Sequence, residues 1–234
     1  MSAYDVEPGD QVHPGDPVIV DRYTTGARIN HWATAACLIL LALSGLALFV
    51  PSLFFLTAVF GGGQATRFIH PWIGVVLFFS FLGLFLRFWK ANLWKAEDGT
   101  WFARLSDVLT AHEERLPEIG KYNAGQKVVF WAMSILIVVL ILSGLASWDQ
   151  YFAPYTSIEE KRIAIVVHDI AAIAIICVWI VHFYAAIWVR GTLPAMVRGV
   201  VTGGWAWRHH RKWLKELAAG KPSDHNSPGP TPAE

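Results

Sequence analysis

Four histidines stand within or at the ends of long apolar stretches of this 234-residue chain: His31, His70, His168 and His182. An ionisable ring in such surroundings is costly and is by default functional. His168 and His182 are fourteen residues apart, and fourteen helical steps leave two side chains about 40° apart around the axis and about 21 Å apart along it. A single helix can therefore present both imidazoles from one face, at two depths of a membrane.

Paired imidazoles at two depths are typical of haem ligation. Neutral imidazole is an ordinary axial ligand of haem iron, and two imidazoles leave no position for oxygen or a substrate, so such a centre only transfers electrons. The chain has two cysteines, Cys37 and Cys177, and no Cys-x-x-Cys-His attachment sequence. We therefore predict two haem b groups that are held without covalent bonds.

Three other roles of these histidines stay open. A proton relay usually needs carboxylates in the middle of the membrane, and Asp169 is the one buried-looking candidate. A metal ion such as zinc needs at least three convergent ligands, whereas these four histidines divide into two distant pairs. Hydrogen bonding between helices would need no cofactor at all.

The elements that carry the histidines are predicted to be membrane-spanning helices. Of the residues, 54% are hydrophobic and 16% are charged, and the apolar ones are concentrated in four blocks long enough to cross a bilayer core of about 30 Å. We predict an all-α integral membrane four-helix bundle that binds two b-type haems. The expected organisation is a polar N-terminal segment (1–27), a dihaem domain (28–190, with spans at about 30–50, 68–89, 128–148 and 163–189), an interfacial helical segment (191–219) and a disordered tail (220–234).

The distribution of basic residues predicts the orientation. With a cytoplasmic N-terminus, sixteen of the nineteen lysines and arginines lie in inner segments and three in outer loops, so the positive-inside rule places both termini in the cytoplasm. The expected location is a bacterial inner membrane. In this topology His31 and His182 lie near the inner face, and His70 and His168 near the outer face.

Several other features are interpreted from the sequence alone. The segment 101–110 is amphipathic and the segment 196–217 is rich in Trp and basic residues, and we expect both to lie as helices at the membrane surface. Leu43–Ala47 recurs as Leu142–Ala146, and its small residues allow either another helix or a flat macrocycle to come close. The remaining histidines are predicted to be solvated: His13, His112, His209, His210 and His225.

The chain resembles the gamma subunit of respiratory, membrane-bound formate dehydrogenase, which is a cytochrome b. The resemblance covers about residues 20–217, and its most specific part is the block that ends at Lys127. The matching stretches are Arg28-Ile-Asn-His-Trp32, Ala42-Leu-Ser-Gly45, Arg67-Phe-Ile-His-Pro71, Gly120-Lys-Tyr-Asn-Ala-Gly-Gln-Lys127, the pair His168 and His182, Trp188-Val-Arg-Gly191 and Trp205-Ala-Trp-Arg-His-His210 followed by Trp213. Asp169 departs from the family, in which that position is small and apolar.

This resemblance implies partners and a direction of electron flow. A catalytic (alpha) subunit with molybdenum or tungsten oxidises formate outside the membrane, and an iron–sulfur (beta) subunit passes the electrons on. The gamma subunit is not itself the catalyst for formate. It receives the electrons at an outer haem held by His70 and His168 and moves them to an inner haem held by His31 and His182. A trimer of heterotrimers is a family expectation, and nothing predicts a nucleic-acid partner.

The resemblance also implies a quinone site for menaquinone or ubiquinone beside the inner haem, formed by Asn123, Gly125 and Gln126 with His182. The two amides offer neutral donors to a quinone carbonyl, Gly125 allows close approach, and the flanking Lys121 and Lys127 would attract developing negative charge. Without the family, the same block would be interpreted as a polar cap before a helix.

Rival functions stay open. A similar scaffold would serve a nickel–iron hydrogenase or a thiosulfate-type reductase, and the block from Asn123 to Gln126 argues against both. A haem-free membrane anchor belongs to a different class and would lack the absorption bands of a b-type cytochrome. A small transporter is disfavoured because no span shows the glycine or proline interruption that such sites use.

Overall fold

The computed structural model of the chain describes residues 7, 9–110, 112 and 115–219. Residues 1–6 and 8 of the predicted N-terminal segment lie outside the described residues, as does the whole predicted tail 220–234 with His225. The elements in chain order are β1 (Val12–His13), β2 (Ile19–Asp21), α1 (Thr25–Phe49), a 3-10 helix (Pro51–Phe60), α2 (Gly63–Phe88), α3 (Ala96–Ala103), α4 (Leu105–Leu109), α5 (Ala124–Ser147), α6 (Asp149–Phe152), a 3-10 turn (Ala153–Tyr155), α7 (Ile158–Trp188), α8 (Thr192–Arg198), β3 (Val200–Thr202), α9 (Gly203–His209) and α10 (Arg211–Ala218).

The prediction of four spanning helices is confirmed. Helices α1, α2, α5 and α7 are 25, 26, 24 and 31 residues long, and each is apolar enough to cross a membrane. Each begins four or five residues before its predicted start, at residues 25, 63, 124 and 158 instead of 30, 68, 128 and 163. The difference has a simple cause: hydropathy marks the part of a helix that lipid would cover, whereas the helix itself continues through polar turns at its N-terminus.

The chain divides into two compact units, and the one formed by residues 29–86 and 131–183 contains the bulk of the four long helices. We call it the four-helix unit. Its centre is a cluster with one buried residue from each helix, namely Leu38, Leu77, Ile137 and Ile175. Because lipid tails are as apolar as leucine, close van der Waals packing and interhelical hydrogen bonds stabilise such a bundle.

The second unit comprises residues 1–28, 87–130 and 184–234, and its described part contains a small antiparallel sheet in the order β1-β2-β3. Val20 of β2 lies opposite Val201 of β3, and both are buried in a core with Trp213. The predicted helical segment 191–219 is therefore interrupted by a strand. The physical reason is Gly199, whose φ of 89° ends α8, after which the β-branched residues of β3 favour pairing with β2.

The predicted surface helix at 101–110 is also different in the structure. It consists of two short helices, α3 and α4, with a break at Arg104. Trp101 is buried against Ile119 and Ala124, so this part of the segment packs on protein. Leu109 keeps a largely exposed side chain. The segment therefore has the apolar face that its periodicity predicts, but at Trp101 this face is covered by protein instead of lipid.

Arg22 is buried in the second unit, although it follows a polar N-terminal stretch of the sequence. Its guanidinium lies 5.1 Å from the ring centroids of both Trp205 and Trp213, and it donates a hydrogen bond to the carbonyl oxygen of Lys121 at 2.6 Å. A guanidinium tolerates this environment because it is weakly hydrated and stacks on aromatic faces.

The prediction that His210 is solvated is wrong: its side chain is 2% exposed. Its Nδ1 lies 2.8 Å from the carbonyl oxygen of Gly120, and burial, reinforced by the nearby Arg22, lowers the pKa of His210 well below its usual range. The ring is therefore neutral and donates from Nδ1 to that carbonyl. The polar sequence around it gave no indication of this contact, since the partner is ninety residues away in the chain.

A buried ion pair attaches α3 to the first turn of α5. The Lys127 Nζ lies 2.7 Å from an Asp98 carboxylate oxygen, and the two side chains are 2% and 1% exposed. Asp98 also accepts a hydrogen bond from the backbone N–H of Lys95 at 2.7 Å. Removal of one partner from such a pair leaves an uncompensated buried charge.

We expect Asp98→Ala to lower the free energy of unfolding by about 3–5 kcal/mol, because Lys127 would remain buried without its counter-ion. The double variant with Lys127→Met should recover most of that loss. Denaturant unfolding of the purified complex, followed by tryptophan fluorescence, measures both. The control is Asp107→Ala, which removes a partly exposed pair with Arg115 at 3.6 Å and should cost no more than about 1 kcal/mol. Equal effects of the Asp98 and Asp107 substitutions would contradict the buried-pair argument.

Candidate functional site

The structure brings the four apolar histidines together in two pairs within the four-helix unit. His31 of α1 faces His182 of α7 with 6.2 Å between ring centroids. His70 of α2 faces His168 of α7 with 6.3 Å between centroids. Helix α7 is continuous between its two histidines, so it contributes one ring to each pair, about 21 Å apart along its axis.

Both pairs fit axial ligation of a haem iron. Metal–imidazole bonds of about 2 Å on each side of a shared metal, with about 1.1 Å from each nitrogen to its ring centre, place two ring centroids about 6.2 Å apart. The observed separations of 6.2 and 6.3 Å match this value. The ring planes differ by 52° and 67°, which ligation permits because each plane can contain the shared nitrogen–iron axis at any rotation.

The His70–His168 pair is held by two serines from the other two helices. The Ser44 Oγ of α1 lies 2.7 Å from the Nδ1 of His70, and the Ser143 Oγ of α5 lies 3.0 Å from the Nδ1 of His168. Since Nδ1 is engaged on each ring, Nε2 is the nitrogen left to face a metal. These serines occupy the same position in the two copies of the recurring Leu-Ser-Gly-Leu-Ala sequence.

The glycines that follow these serines lie against the same rings. A Cβ atom added to Gly45 would stand 3.4 Å from the Cε1 of His70, and one added to Gly144 would stand 3.4 Å from the Cε1 of His168. The recurring sequence was expected to admit either a helix or a macrocycle. In the structure its small residues admit the imidazole of the neighbouring helix.

The His31–His182 pair has a different environment. The Nδ1 of His31 is buried and has no hydrogen-bond partner within the described part of the chain. Its ring packs edge-to-face against Trp32, with 5.5 Å between centroids. The two pairs therefore share their spacing and differ in the hydrogen bonding of their outward-facing nitrogens.

Aromatic side chains cluster near the His70–His168 pair. Trp72 lies two residues after His70, and its ring centroid is 5.2 Å from that of Trp148 and 6.0 Å from that of Tyr151. Tryptophan and tyrosine concentrate where a membrane protein meets the lipid headgroups. This cluster is therefore consistent with a membrane boundary close to the pair.

Of the residues predicted for quinone binding, Asn123, Gly125 and Gln126 belong to the second unit and lie at a helix cap, whereas His182 belongs to the four-helix unit. The backbone N–H of Asn123 donates to the Oε1 of Gln126 at 2.9 Å, and the backbone N–H of Gln126 donates to the Oδ1 of Asn123 at 2.9 Å. This reciprocal pair is a capping box at the start of α5. A Cβ atom on Gly125 would stand 3.2 Å from the Cη2 of Trp101, so this glycine admits the buried indole. The cap is thus observed, and it uses the amide oxygens of both side chains.

The charge argument for Lys121 and Lys127 is wrong. Lys127 is neutralised by Asp98 as described above, and the Lys121 Nζ lies 2.8 Å from a Glu7 oxygen and 2.5 Å from an Asp10 oxygen. Burial by itself lowers the pKa of Lys121, but these two carboxylates outweigh it and hold that pKa above its usual value. Both lysine side chains are therefore paired with carboxylates within the protein and are not available to attract charge on a quinone.

Ser44 and Ser143 are the site residues that sequence reasoning did not identify. The recurring Leu-Ser-Gly-Leu-Ala sequence is the signal that points to them. Each serine precedes its histidine by nearly the same number of residues, 26 and 25, and this shared separation links each serine to its histidine.

Comparison with known proteins agrees with this site. Residues 22–199 match the family model described as prokaryotic cytochrome b561. The formate dehydrogenase cytochrome b556(fdo) subunit of Escherichia coli is 46% identical over 196 residues, which cover 84% of this chain and 92% of that protein. The formate dehydrogenase cytochrome b556 subunit of Haemophilus influenzae is 38% identical over 200 residues, covering 86% and 84%. The nitrate-inducible cytochrome b556(Fdn) subunit of Escherichia coli is 37% identical over 190 residues, covering 81% and 88%. The chain is therefore a multi-pass membrane cytochrome b that belongs to the prokaryotic cytochrome b561 family, alongside the cytochrome b556 subunits of formate dehydrogenases.

Proposed function

We propose that the chain is the cytochrome b subunit of a formate:quinone oxidoreductase, in which it carries electrons from an iron–sulfur subunit to a quinone. The observation that carries the proposal is the presence of two imidazole pairs, each at the spacing of two axial ligands on one iron. The three relatives described above, named as subunits of formate dehydrogenases, support formate as the source of the electrons.

Two haem b groups are proposed, with His70 and His168 as the ligands of the outer one and His31 and His182 as the ligands of the inner one. A bound haem supplies reversible one-electron chemistry at its iron. With both histidines of a pair as ligands, no position on the metal would be left for oxygen or a substrate. Because helix α7 would contribute one ligand to each haem, the distance between the two haems would be set by this one continuous helix.

The proposed location is a bacterial inner membrane with both termini in the cytoplasm. The concentration of basic residues in one set of loops supports this orientation. The His70–His168 pair would then lie on the periplasmic side, where it accepts electrons from the iron–sulfur (beta) subunit. A molybdenum or tungsten catalytic (alpha) subunit completes the proposed complex, and three such heterotrimers would form the family's trimer.

A quinone, menaquinone or ubiquinone, is proposed to be reduced at the cytoplasmic side by a site that includes Asn123, Gly125, Gln126 and His182. The observed capping box uses the Oδ1 of Asn123 and the Oε1 of Gln126 as acceptors. Each side-chain amide also has an NH2 group, which is the donor that a quinone carbonyl requires. The cap would therefore hold both side chains in place without using the atoms proposed to contact quinone.

The haem assignment predicts which of the two haems is lost when each histidine is replaced. His70→Ala or His168→Ala should reduce the haem content of the purified complex from two to one per chain, and the same is expected of His31→Ala or His182→Ala at the other site. The pyridine haemochrome assay counts the haems, and reduced-minus-oxidised spectra distinguish the two that remain. His13→Ala, which changes an exposed histidine paired with Asp21, should keep both. Retention of two haems by either variant of an outer ligand would refute the pairing.

The quinone assignment predicts that Asn123→Ala slows quinol formation by about tenfold or more, because a donor to the developing negative charge is lost. Formate should still reduce both haems in this variant. Stopped-flow spectra of the intact complex measure haem reduction and quinol formation separately.

Asn123→Ser is the matched control for the capping role. Serine caps a helix about as well as asparagine, but it has no amide NH2 group. Slow quinol formation in both variants supports a contact with quinone. If Asn123→Ser behaves like the unaltered complex and only Asn123→Ala is slow, the residue serves the cap alone and the quinone assignment fails.

The close approach of Gly144 to His168 predicts a limit on side-chain size. Gly144→Ala should keep both haems because its Cβ would make ordinary van der Waals contact with the ring, whereas Gly144→Leu should displace the ring and lose one haem. Haem content per chain is the measurement. Gly26→Leu, at a position where an added Cβ meets nothing within 4 Å, is the control. Two haems in the Gly144→Leu complex would show that the ring does not depend on this space.

A further inference from the structure

We propose that Ser44 and Ser143 are positioning residues of the outer haem: they fix the tautomer of both axial ligands and lower the reduction potential of that haem relative to the inner one. The inference rests on the proposed dihaem function. The two serines act through His70 and His168 and do not themselves touch the iron.

Each serine hydroxyl lies within hydrogen-bond distance of a backbone carbonyl oxygen as well as of an imidazole Nδ1. Ser44 reaches the carbonyl oxygen of Leu40 at 2.7 Å, and Ser143 reaches that of Val139 at 2.7 Å. A neutral imidazole that binds iron through Nε2 carries its one proton on Nδ1, so His70 and His168 would each donate to the serine Oγ. The single proton of each hydroxyl is then free to go to the carbonyl oxygen, and this arrangement satisfies both contacts of each serine.

Burial makes these hydrogen bonds effective. Ser44 is 0% exposed and Ser143 is 7% exposed, so water cannot replace them as acceptors. Surroundings of low polarity strengthen a hydrogen bond. The hydrogen bond to the backbone carbonyl four residues earlier also orients each Oγ. The hydroxyl is thereby held between its own helix and the imidazole of the neighbouring helix.

The electronic consequence follows from the direction of the hydrogen bond. An imidazole that donates its N–H to an acceptor becomes a more basic ligand, and a more basic ligand stabilises ferric iron over ferrous iron. Hydrogen bonding around a metal is one of the means by which proteins set haem potentials. Both ligands of the outer haem receive this effect, so its potential should be lowered.

The inner pair lacks an equivalent contact on at least one ligand. Within the residues that the structure describes, the buried Nδ1 of His31 has no hydrogen-bond partner. The inner haem should therefore have the higher potential. This difference favours movement of each electron from the His70–His168 site to the His31–His182 site, in the direction that the proposed function requires.

The test compares Ser143→Thr with Ser143→Val in the intact complex, since the two side chains have nearly the same volume and only threonine retains the hydroxyl. Spectroelectrochemical titration gives the midpoint potential of each haem, and the outer haem is identified as the one that His70→Ala loses. Ser143→Thr should leave the outer potential near that of the unaltered complex, whereas Ser143→Val should raise it. Loss of about tenfold in affinity for the ferric state alone corresponds to about 59 mV for one electron.

Two further variants complete the experiment. Ser44→Ala should raise the outer potential as well, and combination with Ser143→Val should add to the shift, with the inner potential unchanged in every case. Ser147→Ala is the control, because its hydroxyl donates to the carbonyl oxygens of Ser143 and Gly144 and its loss should move neither potential.

The outcomes separate this inference from the proposed function. Equal potentials in the Thr and Val variants, with both haems bound, would overturn the role of the serines and leave the dihaem assignment intact. An unaltered complex that lacks the outer haem would overturn both. Failure of Ser143→Val to hold the outer haem, while Ser143→Thr holds it, supports the positioning role through affinity.

Discussion

The meeting of imidazoles in pairs between transmembrane helices is the constraint on which the rest of this structure depends. The two rings of each pair come from different helices and lie at a centroid separation close to 6.2 Å, and a packed bundle is needed to keep them there. The cluster of Leu38, Leu77, Ile137 and Ile175 supplies this packing with one residue from each helix. Since lipid provides no hydrophobic force between helices, the hydrogen bonds between the serines and the rings also stabilise the packing of the helices against one another.

The core of the second unit differs from that of the four-helix unit because it contains buried charged side chains. Two of its buried cationic side chains have distinct surroundings: Arg22 lies beside tryptophan rings, and Lys127 is paired with Asp98. A charge that is buried with its counter-ion fixes the position of a chain segment, because any displacement would leave it unpaired. The Asp98–Lys127 pair thus fixes the first turn of α5, and with it the capping box of Asn123 and Gln126, against α3.

The parts of the molecule that could be predicted from the sequence are those governed by local periodicity. Four spans, the four histidines and the face shared by His168 and His182 follow from hydropathy and helical geometry alone. The strand β3, the burial of His210 and the contacts of Lys121 depend on residues far away in the chain, and no local pattern carries that information. Ser44 and Ser143 lie between these cases, because their sequence was noticed but the ring that each one holds could not be inferred from spacing within one helix.

The serine contacts divide the four-helix unit into two similar hairpins. In one, α1 carries the acceptor Ser44 and α2 carries His70; in the other, α5 carries Ser143 and α7 carries His168, with nearly the same separation along the chain. Each hairpin therefore contributes one imidazole, in contact with a serine of the same hairpin, to the His70–His168 pair. The His31–His182 pair shows no such repetition. His182 follows His168 by fourteen residues, and the residue of α2 that follows His70 by fourteen is Leu84, which is buried and apolar. The His70–His168 pair therefore uses the same serine–histidine arrangement in both hairpins. The His31–His182 pair instead takes one ring from the first helix of one hairpin and one ring from the second helix of the other.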